Sequence, residues 1–297
     1  MKRKIVTMMI LLAMCVGLVA CGNKAATTED SGATAVQEET VSEEGAEADT
    51  SEAASEGEAI YVGATKDDFE FSELDDGTLM IKKYVGEAPY IIIPEDISGK
   101  KITIVDGLFG DTLKGVVLPD SVTTITDRAF NNSENLEEVK LGNSVETIEG
   151  YAFINCYKLK SINLPDSITS IGECALNGNA LEEITIPAGV TELPDGVFCN
   201  GCWKELTIPG TVKVVGEEAF AGNDELTKVT VEDGVEEIKH AAFRHCDKIE
   251  ELHIPASVTA FEDGKIVDST DILTVYAPAG SATEAYANEN DIKFVAE

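Results

Sequence analysis

The sequence predicts a β-rich, right-handed solenoid of α/β-type repeats, each coil of about 23 residues contributing short strands and one short helical turn. Three observations carry that reading. The chain repeats itself from Leu113, Leu136, Leu159, Leu181, Trp203, Leu226 and Ile249, at intervals of 22 or 23 residues. Two apolar columns return in phase: Val116, Val139, Ile162, Ile184, Leu206, Val229 and Leu252, then, two residues on, Leu118, Leu141, Leu164, Ile186, Ile208, Val231 and Ile254. A small-large pair recurs later in the coil as Ala129-Phe130, Ala152-Phe153, Ala219-Phe220 and Ala242-Phe243, and degrades to Ala175-Leu176 and Val197-Phe198.

Each element has a physical reason. The period-two alternation is that of a strand with one buried face. Pro119, Pro165, Pro187, Pro209 and Pro255 end most of these strands, because proline cannot donate to a ladder. A second apolar pair follows, such as Val122/Ile125, Val145/Ile148 and Val235/Ile238, and predicts a second short strand. In the Ala-Phe pair the alanine lets backbones approach and the phenylalanine fills the space between coils. One coil buries too little to offset the ordering of its own backbone, so coils must stack and both ends need caps.

In chain order, residues 1–20 read as a signal segment: Lys2-Arg3-Lys4 is basic and Ile5 to Ala20 apolar. Residues 21–66 are rich in Ala, Thr, Ser, Gly and Glu, almost free of aromatics, and read as a disordered acidic tether. Like charges extend such a chain, and about 45 flexible residues reach roughly 40 Å. Residues 67–111 read as an N-terminal cap. A hairpin turns at Asp75-Asp76-Gly77, and a stretched first repeat follows with its strand at Ile91-Ile92-Ile93 and an insertion at Ser98-Gly99-Lys100-Lys101. Residues 112–271 are the regular repeats. Residues 272–297 read as a C-terminal cap, with a short helix N-capped near Ser281 and a final strand at Ile292–Val295.

The repeat L-x-x-[VI]-x-L-P-x-S-[VI]-T-x-I-x-x-x-A-F-x-x-C, in register over about residues 88–278, resembles the BspA-like class of bacterial leucine-rich repeat. Leu18-Val19-Ala20-Cys21-Gly22 resembles a bacterial lipobox. The second resemblance implies cleavage before Cys21 and acylation of that cysteine. The first implies a surface module associated with recognition and adhesion, defined by its core residues and not by a site. Together they place the chain on the outer face of a bacterial membrane, held by the lipid.

The formal net charge is −33, or −36 once Lys2, Arg3 and Lys4 are removed with the signal (19 basic against 55 acidic residues). Such a chain repels nucleic acid and anionic lipid surfaces, and no basic stripe offsets this. No serine is framed as G-x-S-x-G and no glycine-rich phosphate loop follows a strand. The sequence therefore points away from an enzyme and implies no cofactor.

Five cysteines fall in the repeats. Cys156 and Cys246 share the phase of Ser133, Asn179 and Asn223, a column whose polar atoms satisfy turn backbone groups in leucine-rich repeats. Cys199-Asn200-Gly201-Cys202 is a C-x-x-C and leaves open a thiol- or metal-dependent reading. It lies in a solenoid turn, and no second C-x-x-C accompanies it. His240, His245 and His253 lie in neighbouring coils at different phases, so their side chains are expected on different faces. Trp203 takes an anchor column and reads as core.

The candidate binding face is the outward column of the first strand: Val117, Lys140, Asn163, Thr185, Thr207, Thr230, His253 and Tyr276. Solenoids use such faces as extended docking surfaces, and threonine is also ordinary strand filler. The reading is a monomeric module that binds an extracellular or envelope macromolecule through Lys140, Asn163, Thr185, Thr207, Thr230 and His253. The alternative is an envelope spacer without a specific ligand.

Overall fold

Backbone hydrogen bonding between successive coils turns the repeat into three faces. The computed structural model describes residues 59–297 apart from 263–264 and 269–270. Cys21, the signal segment and most of the tether lie outside the described residues.

The first face carries the outward column. Parallel strands Val62–Gly63, Tyr90–Ile92, Gly115–Val117, Glu138–Lys140 and Ser161–Ile162 form one sheet. Strands Glu205–Ile208, Lys228–Val231, Glu251–His253, Thr274–Ala277 and Lys293–Ala296 form another, in register from coil to coil. The second face repeats this division. Lys100–Leu108, Thr124–Ile125, Thr147–Ile148 and Ser170–Ile171 make one ladder, and Glu192–Leu193, Val214–Val215, Glu237–Ile238 and Ala260–Phe261 another.

The third face holds the Ala-Phe pairs, and it differs from expectation. The segment is a run of turns, not a helix. Bonds inside it span three residues, as from Ala129 N–H to Thr126 O and from Ser133 N–H to Phe130 O. In six successive coils two residues four apart take left-handed φ, as at Arg128 and Asn132, Tyr151 and Asn155, Cys174 and Gly178, and Gly196 and Asn200. This conformation is unfavourable for most side chains. It turns alternate N–H groups toward the next coil, so that Arg128, Phe130 and Asn132 donate to the carbonyls of Gly150, Ala152 and Ile154 at 3.1, 2.7 and 3.0 Å. The inter-coil bonds offset the strain.

Phenylalanines stack behind this face. Phe109, Phe130 and Phe153 lie 4.4 and 4.9 Å apart, and Phe198, Phe220 and Phe243 lie 5.5 and 5.7 Å apart, all fully buried. The polar column works as its residue types imply at Cys156, Asn179, Asn223 and Cys246, whereas the buried Ser133 hydroxyl has no hydrogen-bond partner among the described residues. Cys156 and Cys246 thiols donate to Phe130 O and Phe220 O at 3.3 and 3.2 Å. Asn223 Nδ2 donates to Phe220 O and Phe198 O at 2.7 and 3.1 Å. Gly201 leaves the room for it, since a Cβ there would meet Asn223 Oδ1 at 2.6 Å.

The repeat is less uniform than its sequence suggests. Glu183–Ile186, the expected strand of the coil beginning at Leu181, forms no strand, and both β faces are divided there. Ile162, Leu164 and Ile184, expected in the core, are only partly buried. The division falls among the 22-residue copies. Seven residues carry the chain from Ala152 to the next anchor Leu159, but six from Ala175 to Leu181, although the equally short step from Val197 to Trp203 leads into strand Glu205–Ile208. Leu176 also replaces phenylalanine and interrupts the aromatic stack. The turn face crosses this division intact, with Leu176 N–H donating to Val197 O at 3.0 Å.

Both caps form. Phe69–Glu73 and Leu79–Tyr84 make the antiparallel hairpin, and Leu79–Tyr84 adds to the second face. Val62–Gly63 already pairs with Ile91–Ile92, so the fold begins ahead of residue 67, the boundary composition suggests. At the other end Ser281 Oγ accepts from Glu284 N–H at 3.2 Å and caps the helix Ala282–Glu289. Tyr286 of that helix stacks on Phe261 at 4.5 Å and accepts from Ile266 N–H at 2.9 Å.

Candidate binding face

The outward column is one line in sequence and two different surfaces in the fold. In the N-terminal half its polar groups bond to one another. Lys140 Nζ pairs with Glu138 Oε1 at 3.0 Å and lies 5.2 Å from the centre of the Tyr61 ring. Tyr61 donates its hydroxyl to Glu138 Oε2 at 2.6 Å, and Tyr90 donates to Glu137 Oε2 at 3.1 Å. The Tyr61 and Tyr90 rings meet edge to face at 5.5 Å. They rest on Gly115, where a Cβ would meet Tyr90 Cδ1 at 2.5 Å and the Tyr61 hydroxyl at 2.6 Å. Burial first, then Glu138, pushes the Tyr61 hydroxyl well above its ordinary pKa. The Tyr61 hydrogen bond holds Glu138 below the usual carboxylate range.

Asn163 is also occupied. Its Oδ1 accepts from Leu141 N–H at 2.7 Å and its Nδ2 donates to Leu141 O at 3.0 Å. The side chain stands in for the ladder bonds that a third residue of strand Ser161–Ile162 would make. Thr185 is exposed but lies in the segment without a strand.

The C-terminal half presents Thr207, Thr230, His253 and Tyr276 in register on adjacent strands. Among the described residues, no hydrogen bond is made by the Thr207 or Thr230 side chain. The His253 ring stacks on Tyr276 at 4.5 Å and 9°. Its Nδ1 stands 3.2 Å from Glu297 Oε1 and its Nε2 3.5 Å from Glu251 Oε2, which also pairs with Lys228 Nζ at 3.1 Å. The Lys228 bond, then His253, holds the Glu251 carboxyl below its usual range. A groove of about 380 Å³ lies here, lined by apolar Val231, Ile254, Pro255 and Pro278 and polar Lys228, Thr230, His253 and Glu297.

Of the six expected face residues, the fold therefore brings Thr207, Thr230 and His253 together. It ties down Lys140 and Asn163 and sets Thr185 apart. Tyr61, Tyr90 and Ile92, which is 43% exposed, were missed as face residues. The alternation Tyr90-Ile91-Ile92-Ile93 carries the signal for the last two, since it places Tyr90 and Ile92 outward in the phase of Gly115 and Val117.

The remaining candidates do not gather. His245 pairs with Asp268 at 3.1 Å on the turn side, away from His253. Among the described residues no three His, Cys, Asp or Glu side chains are grouped to hold a metal ion. Cys199 forms no disulfide, and burial pushes its thiol up to about 12, as it does those of Cys156 and Cys246. A thiol so shifted is a poor nucleophile and a poor metal ligand at neutral pH.

Comparison with known proteins agrees with this architecture. The family described as BspA type leucine rich repeat region matches in six copies, over residues 90–203 and 191–287. No curated protein matches the sequence. Among solved structures, a leucine-rich repeat protein of T. pallidum is 23% identical, with TM-score 0.59 over 63% of this chain and 91% of its own. This likeness concerns the fold. A leucine-rich cell surface protein of Faecalibacterium prausnitzii is 20% identical, with TM-score 0.45 over 72% of this chain and 75% of its own. A leucine-rich repeat protein of Eubacterium ventriosum is 22% identical, with TM-score 0.43 over 73% of this chain and 72% of its own.

Proposed function

The chain belongs to the BspA type leucine-rich-repeat family, and from that premise we propose that it is a lipid-anchored surface module that binds an extracellular or envelope macromolecule, without a catalytic step or cofactor. The lipid is carried by Cys21, and the acidic tether that follows it holds the folded part away from the membrane. The partner is a protein or glycoprotein, and the module meets it as a monomer. One observation carries this reading: Thr207, Thr230, His253 and Tyr276 stand in register on one sheet beside a groove, with the two threonine side chains uncommitted. Rigid strands that present free side chains in a row are what an extended docking surface requires.

The test uses the full chain carrying Cys21→Ser, which keeps it unlipidated. It is arrayed against extracellular matrix proteins, mucins and envelope polymers at low and physiological salt. A saturable, salt-tolerant partner that Thr207→Glu and Thr230→Glu abolish is the expected result. Adsorption that physiological salt removes entirely leaves the spacer reading in its place. Metabolic labelling with a fatty-acid analogue, present in the wild type and lost in Cys21→Ser, checks the anchor.

A further inference from the structure

We propose that the slot in front of His253 receives an arginine side chain from a basic protein partner; this rests on the strand-face reading above and names the chemistry of its ligand. One face of the His253 ring is covered by Tyr276, parallel at 4.5 Å. The other face looks along the column toward Thr230 and then Thr207, and Thr230, with its short side chain, lines the groove together with His253. The imidazole is thus a platform backed by a second ring, its side chain 23% exposed beside the groove and its Nε2 buried without a hydrogen-bond partner among the described residues.

Carboxylates frame that platform. Glu297 stands 3.2 Å from Nδ1, and Glu251 stands 3.5 Å from Nε2, too far for a full hydrogen bond. A planar cation laid on the ring lies between them. Lys228 neutralises Glu251 at 3.1 Å. Among the described residues, Glu297 and Glu205, which pairs in register with Lys228, have no lysine or arginine partner. The whole chain carries −33, so basic partners are drawn to it.

Arginine fits these features better than lysine or a neutral ring does. Its guanidinium is flat, stacks on aromatic faces and directs N–H donors outward in its own plane toward flanking carboxylates. Lysine satisfies the charge but not the flat platform. A neutral aromatic satisfies the platform but leaves Glu297 and Glu205 without a cation.

The experiment measures binding of three short neutral-ended peptides to the full chain carrying Cys21→Ser, at physiological salt. They are identical except for arginine, lysine or citrulline at two positions. The arginine peptide is expected to bind about tenfold more tightly than the lysine one, the scale of a desolvated cation–π contact, and the citrulline peptide most weakly. His253→Ala and Glu297→Gln each remove that preference, and the distant Glu149→Gln leaves it. Thr230→Arg fills the slot from within and blocks the arginine peptide, a second route that does not depend on deleting the ring. Circular dichroism melts establish that each variant is folded. Equal binding of the arginine and lysine peptides, or a preference that survives His253→Ala, overturns the proposal. If a macromolecular partner is still lost in Thr207→Glu when the peptides fail, the arginine site falls and the docking face stands. If Thr207→Glu and Thr230→Glu change nothing, the docking face falls as well.

Discussion

The N-terminal half of the strand face holds Lys140 against Glu138 and over the Tyr61 ring, ties Tyr90 to Glu137, and spends Asn163 on the Leu141 backbone. The C-terminal half offers Thr207 and Thr230 uncommitted beside the stacked His253 and Tyr276. Both halves come from the same columns of the same repeat. The difference arises at the ends and in the middle. Residues ahead of the repeats add a strand and lay Tyr61 over the first coils, and the sheets divide at the coil beginning at Leu181. Position in a repeat therefore predicts where a side chain points, and its neighbours along the column decide whether it is free to bind.

The largest effects should ignore this difference, because the core does not share it. Phe130→Ala and Phe220→Ala each remove a fully buried ring from a stack, one in each half. Each is expected to cost about 3–5 kcal/mol in denaturant unfolding. A cost below about 1 kcal/mol in one half alone would mean that the asymmetry runs through the core and is not a surface property.

Gly115→Ala addresses the N-terminal half alone. The added Cβ meets the Tyr90 and Tyr61 side chains at 2.5 and 2.6 Å, and two partly buried rings must move. The expected cost is about 1–3 kcal/mol, with the Tyr61 and Tyr90 aromatic resonances shifting together. Unchanged resonances would mean that the rings do not rest on this glycine.

Asn163 and Thr207 sharpen the comparison most directly, because they occupy one column. Asn163→Ala loses two bonds to the Leu141 backbone and is expected to cost about 1–2 kcal/mol without affecting partner binding. Thr207→Ala is expected within about 0.5 kcal/mol of wild type, while Thr207→Glu abolishes binding. Amide exchange should follow the same line, with Glu183, Ile184 and Thr185 exchanging faster than Thr207 and Thr230. Reversed phenotypes would exchange the roles assigned to the two halves.

These residues also mark what the sequence could reveal. The coil, its two apolar columns, the Ala-Phe stack, the polar column of Cys156, Asn223 and Cys246, and the Ser281 cap were legible, because each depends on local periodicity or on a residue type with one physical use. The left-handed pairs in the turns were not legible. Arg128, Tyr151 and Glu218 are ordinary residues held there by the next coil's carbonyls. The fate of Asn163 and Thr185 was hidden for a similar reason. The step from Ala175 to Leu181 is one residue short, but so is the step from Val197 to Trp203, where strand Glu205–Ile208 forms, so spacing does not announce where two parallel ladders stop. The groove beside His253 needs a distant contact, Glu297, that no periodicity announces.

The smallest effect concerns pH and separates two carboxylates of the same column. Glu138 is held below its ordinary value first by the Tyr61 hydroxyl and then by Lys140. A folded carboxyl with a depressed pKa contributes stability that is present above its unfolded value, about 4.3, and is lost as pH falls through the folded one. Tyr61 works in the opposite sense. Its raised pKa contributes stability fully present below its unfolded value, about 10, and lost as pH rises through the folded one. Near neutrality both contributions are intact, so the test lies on the acid side. Glu138→Gln and Tyr61→Phe should each flatten the fall of stability below about pH 5. Glu251 is depressed too, first by Lys228 and then by His253, but its side chain is 44% exposed against 29% for Glu138. Water screens its pairs more strongly, so Glu251→Gln should flatten the curve less. Equal flattening by Glu138→Gln and Glu251→Gln would mean that the N-terminal half is no more tightly tied than the C-terminal half, and Lys140 would return as a candidate contact.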